Sequence, residues 1–158
     1  MSLTNFSRYN LRYDAEVILF SFISEGPKGM IKKAIQFNKI HGEGDLYNLG
    51  FGDVDATNDL INDSARSNNN DVNKVLATVA NALLIFSDKY PNAQIIARGN
   101  SAARTRLYMM KISGLLSEIL IDFELWGSLN DQNWELYRGD QRYTSLLIRR
   151  RFLNNLVL

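Results

Sequence analysis

The chain has 158 residues, 46% of them hydrophobic, 11% aromatic and 22% charged, which is the length of one domain with enough apolar material for a sizeable core. This composition excludes a disordered chain, and the absence of cysteine excludes disulfide staples, thiolate catalysis and cysteine-ligated zinc or iron–sulfur centres. Eighteen Lys and Arg against 17 Asp and Glu leave a net charge of +1, so no chain-wide field draws the protein to nucleic acid or anionic lipid.

The opening residues MSLTNF lack a basic segment followed by an apolar stretch, so no secretory signal is expected and the cytoplasm is the default location. The longest apolar stretches, 17–22 and 82–86, fall far short of the roughly 20 residues that cross a bilayer. Charge is nevertheless uneven. Residues 43–71 carry Glu43, Asp45, Asp53, Asp55, Asp59, Asp63 and Asp71 against Arg66 alone, while Arg138, Arg142, Arg149, Arg150 and Arg151 make the C-terminal part basic.

In chain order, residues 16–24 read EVILFSFIS, apolar on both alternation phases from 17 to 22, which predicts a strand covered on both faces. Residues 25–29 are turn-forming, and 30–40 return with Ile31, Ile35 and Phe37 on one phase against Lys32, Gln36 and Asn38 on the other, completing a hairpin. After a breaker cluster at 41–45, residues 46–51 form a third strand. The Asp-, Asn- and Ser-rich stretch 53–70 reads as a long exposed connection, with Leu60 and Ile61 able to start a short return strand. Val72, Val75, Leu76, Val79, Ala80, Leu83 and Phe86 then recur at helical spacing, with Asn70 or Asp71 as cap and Tyr90-Pro91 as stop. A short buried strand follows at 93–97, a tight turn at 99–101, and a second helix from the Ser101 cap to about Ser113, ended by Gly114. Residues 115–120 can form a last turn leading into a strand through Phe123 and Leu125 to Trp126, a stretch compatible with helix or strand, and 134–137 and 143–148 read as closing strands. With no internal repeat, the expectation is a single domain over 1–158 of α+β class. Its sheet is mostly antiparallel, of about five to seven strands, with two main helices packed on one face.

The stretch 95–106 places a glycine turn between strand and helix. A helix start offers unpaired backbone N–H groups and the positive end of its dipole, so Gly99, Asn100, Ser101, Arg104 and Arg106 are candidates for binding a phosphate or carboxylate, with Arg98 able to add contacts. The stretch has neither the lysine of a Walker loop nor a GxGxxG fingerprint, and a Ser101 cap with ion-paired arginines is the structural counterpart. Asp53 and Asp55 are candidate oxygen ligands for Mg²⁺ or Ca²⁺. However, a calcium loop starting at Asp53 would have Asn58 at its glycine position and Ser64 at its glutamate position. His41 is the only histidine, lies in a glycine-flanked turn and reads as a surface residue. Arg149, Arg150 and Arg151, beside Tyr143 and Phe152, can grip a nucleic-acid backbone or simply charge a strand edge.

Three ordered stretches, YNLGFGDVD at 47–55, KVLATVA at 74–80 and ARTRLY at 103–108, resemble a family of short bacterial proteins known only as a domain of unknown function. The resemblance implies bacterial origin and assigns no activity or cofactor. At 69–71 this chain has Asn-Asn-Asp where the family pattern has Asn-Asn-Gly-Asp, so a glycine-dependent anion nest is not expected there. The functional expectation is a binding or interaction module with an anion site at 99–106. The alternatives are a metal-assisted enzyme on a phosphorylated or nucleotide substrate, using Asp53 and Asp55, and a nucleic-acid regulator using Arg149 to Arg151. The sequence leaves the partner and any cofactor unknown; a protein or a second copy of the chain is a candidate partner, ahead of nucleic acid, and a membrane is not expected.

Overall fold

A computed structural model of the chain describes residues 6–55, 57–58, 60–62, 69–98 and 102–152, with backbone alone at 62 and 102–107. Their order is β1 (Arg12–Tyr13), β2 (Leu19–Gly26), β3 (Gly29–Lys39), β4 (Leu46–Val54), β5 (Ile61–Asn62), α1 (Val72–Lys89), β6 (Gln94–Arg98), α2 (Ala102–Gly114), α3 (Leu116–Asp122), β7 (Phe123–Ser128), β8 (Glu135–Leu136) and β9 (Ser145–Arg150). The strands form one sheet in the order β1-β2-β3-β4-β6-β9-β7-β8, with β5 added on β4. Among the described strands β4 and β6 are the parallel pair, joined through α1, and every other pairing is antiparallel. The α+β class and the mostly antiparallel sheet agree with expectation. The strand number exceeds five to seven because β1, β5 and β8 are two residues each, too short for an alternation pattern to reveal. The expected last turn after Gly114 is a separate third helix, divided from α2 at Leu115, whose φ of −111° and ψ of 16° interrupt the helical run.

Alternation decides which side chains meet the helices. On β2 and β3, Phe20, Phe22, Ile35 and Phe37 are buried, whereas Leu19 and Ile23 on the other phase are about 40% exposed. The expectation that residues 17–22 are covered on both faces is therefore wrong. β2 also starts later than its apolar run: Asp14 Oδ1 accepts from the amides of Ile18 and Leu19, and Val17 sits at φ 61°, a turn that keeps residues 14–18 out of the strand. On the helix side, the Phe86 ring of α1 stacks on Phe37 with centroids 4.0 Å apart and meets Tyr47 edge-on at 5.1 Å. A second column runs Tyr9–Phe22 (5.5 Å), Phe22–Phe51 (6.4 Å) and Phe51–Tyr108 (6.5 Å), which ties the N-terminal segment, the sheet and α2 together.

The segment before α1 is held by a buried polar network. Asn69, 1% exposed, accepts from Lys28 N at 2.7 Å and donates to Gly29 O at 2.8 Å and Ser24 Oγ at 3.2 Å, clamping the β2–β3 turn. Gly26 must be glycine there, since a Cβ would lie 2.8 Å from Asn69 Cγ and closer still to its carbonyl oxygen. Asn70 adopts φ 59°, in the left-handed region that asparagine enters more readily than most side chains. Asp71 stands at the N-cap of α1, but its side chain makes no cap hydrogen bond. Its Oδ2 instead accepts from Ser24 Oγ at 2.6 Å and Tyr9 OH at 2.7 Å.

Burial, and then the hydrogen bond to Asp71, raise the Tyr9 phenol above its ordinary value of 10.0. A raised folded-state value means that this contribution to stability is complete below pH 10.0 and is lost as pH climbs through the folded value. Tyr47 and Tyr137 are raised by burial as well and act in the same direction. Urea midpoints measured from neutral to alkaline pH should therefore fall above about pH 10. The fall should be shallower in Tyr9→Phe, and a slope unchanged by that substitution would contradict the assignment.

Candidate functional site

β4 divides its outer edge between two neighbours. Residues 46–49 pair in parallel with β6, and Asp53 and Val54 pair with β5. Gly50, Phe51 and Gly52 pair with neither, so the sheet opens into a fork at the carboxyl end of its parallel pair. The fork lies within the YNLGFGDVD stretch.

On the helix side, Lys33 of β3 stands directly opposite Asp53 of β4, with Nζ 2.6 Å from Oδ1. Lys33 is 1% exposed, a rare state for lysine unless it is paired, and its ammonium also lies 5.8 Å from the centre of the Phe51 ring. Nothing in the sequence names Lys33 as special. Its position nonetheless shares the inward phase of Ile31, Ile35 and Phe37, so a charged residue on an apolar phase was the available signal.

The expected site residues fare differently. Gly99, Asn100 and Ser101 lie outside the described residues, as do the side chains of Arg104 and Arg106, so their contacts are not on view. Arg98, the last residue of β6, alternates to the face opposite Lys33, where its Nε donates to Asp131 at 3.2 Å. Asp53 faces Lys33, whereas Asp55 Oδ1 accepts from the amide and hydroxyl of Thr57 at 2.8 and 2.6 Å. Those bonds, the hydroxyl first, hold the Asp55 carboxyl below its ordinary value. Among the described residues no three acidic or histidine side chains are grouped to hold a metal. His41 is exposed in its turn.

Each C-terminal arginine has a partner within the chain. Arg149 NH2 meets Glu124 at 3.0 Å with its guanidinium 5.4 Å from the Trp126 ring. Arg150 NH1 donates to Leu84 O, Ser87 Oγ and Asp88 Oδ1 at 3.1, 3.0 and 2.9 Å, placing a cation at the negative end of α1. Arg151 Nε donates to Leu120 O at 3.1 Å.

Together these features define a small α+β domain built on an open, mostly antiparallel sheet whose strand β4 divides its edge between β5 and β6. The chain belongs to the family of unknown function DUF6934, whose model matches residues 5–151. No curated protein and no solved structure matches it. No described helix is long and apolar enough to cross a membrane.

Proposed function

We propose that the chain is a small binding module that takes an anionic group, phosphate or carboxylate, at the fork between β5 and β6, where the chain leads on from β6 to α2. The observation that carries this reading is the division of β4, whose residues 50–52 pair with neither β5 nor β6 among the described residues, next to the buried Lys33–Asp53 pair. Gly50, partly exposed at the fork, lets a ligand approach the backbone closely. Backbone amides at the α2 start supply further donors for an oxyanion.

Thermal unfolding with inorganic phosphate, and then with nucleotides, tests the reading. A ligand at 100 times its Kd adds about 2.7 kcal/mol, roughly 5–11 °C in Tm for a chain of this size. The shift should disappear in Lys33→Met while the variant remains folded by circular dichroism. An unmoved wild-type Tm, or a shift retained in a folded Lys33→Met protein, rejects the site.

A further inference from the structure

We infer a second binding position on the face of the sheet opposite Lys33, centred on Arg98 and suited to an organic acid with a flat apolar body. It does not depend on the fork.

Arg98 is oriented by groups that are themselves fixed. Asp131 Oδ2 accepts from Arg98 Nε at 3.2 Å, and Asp131 Oδ1 accepts from the hydroxyl of Ser145, a residue 1% exposed. Asp131 takes φ 63°, in a loop where Asn130 Oδ1 accepts from the amides of Gln132 and Asn133, both at 3.0 Å. Among the described residues the partner of Arg98 is Asp131, through Nε, so toward these residues the terminal amino groups remain for a ligand, on a side chain 46% exposed. A guanidinium held from one side presents paired N–H donors in the plane that matches a carboxylate.

Register supplies the rest of the surface. Ser128, Ser145 and Arg98 stand in one row across β7, β9 and β6, and the two serines, each 1% exposed, hold Asn130 and Asp131 over that row. One pleat away, roughly 7 Å along the strands, Leu136, Trp126, Leu147 and Ile96 form the neighbouring row on the same face. Leu136 is 66% exposed. A carboxylate on Arg98 would therefore lay an attached ring or branched chain on Trp126 and Leu147. Arg149, on the far side of Trp126, is charge-compensated by Glu124, which leaves Arg98 as the cation for the ligand. A cation and an adjoining apolar row match an acid with an apolar body better than inorganic phosphate.

Benzoate is the probe, with acetate and benzylamine as controls, read by Trp126 fluorescence in Trp134→Phe protein and by calorimetry. Benzoate should quench Trp126 saturably, acetate should bind more weakly because it lacks the ring, and benzylamine should not bind. Arg98→Ala should weaken benzoate roughly ten- to a hundredfold, and Arg98→Lys, which keeps the charge without the fork, should recover little of it. Ser145→Ala should weaken it less, by loosening Asp131. No saturable quenching in the parent protein overturns the inference. So does affinity unchanged in Arg98→Ala, or affinity lost in Arg149→Ala but kept in Arg98→Ala, which would move the site to Arg149.

Discussion

Asp53→Ala should lower the unfolding free energy by roughly 3–5 kcal/mol, because it leaves the Lys33 ammonium in a buried place after removing a carboxylate 2.6 Å away. The Lys33 side chain is 2% exposed and Asp53 13%, so water can relieve the lysine only by opening the packing around Phe51. Replacing both charges together has a different sign. Lys33→Met with Asp53→Leu removes the stranded cation and both desolvation penalties, and its stability should return to within about 1 kcal/mol of the parent or exceed it. Urea unfolding of the two singles and the double closes the cycle. A loss below about 1 kcal/mol in Asp53→Ala would show that the pair is not the buried unit described here. If the double is stable yet phosphate no longer shifts its Tm, the pair is present for binding rather than for folding.

Gly127→Ala should cost about 3 kcal/mol, at the upper end of overpacking effects. A Cβ at Gly127 would lie 2.6 Å from Tyr143 Cδ2 and closer to two other ring carbons, and the ring has nowhere to retreat. Tyr143 is 2% exposed, its hydroxyl accepts from Arg138 N at 3.1 Å, and its ring lies 5.0 Å from that of Tyr137. Tyr137 in turn shares a 2.7 Å hydrogen bond with Ser113 of α2. Crowding at β7 is thus transmitted to the loop before β9 and to α2. In a double-mutant cycle with Tyr143→Ala, the alanine at 127 should become nearly neutral, giving a coupling of about 2 kcal/mol. Additive effects would mean that the clash lies elsewhere.

How far the molecule could be read in advance varies from element to element. α1 was plain, because Val75, Ala80, Leu83 and Phe86 recur at helical spacing and all four are buried. The β2–β3 hairpin was equally plain from its alternating residues and the glycines at 26 and 29. The start of β2 was not, since a positive φ at Val17 leaves no mark in a run of apolar residues. Asp71 was correctly placed at the head of α1, but composition cannot tell a capping carboxylate from one committed to Tyr9, 62 positions away. At the site, Arg98 was noticed for its place beside a turn, while its partner Asp131 lies 33 positions on and is brought there by the pairing of β6 with β9 and β9 with β7.

The sequence by itself determined the local periods, the breakers and the α+β class, because these depend on neighbours within a few residues. It also carried the likeness in the three motifs on which family membership could be anticipated. Only the tertiary structure decided that Lys33 meets Asp53, that β4 forks between β5 and β6, and that Arg98 and Lys33 take opposite faces of one sheet end. Strand order and register bring together residues tens of positions apart, and a shift of one residue in register would exchange the faces.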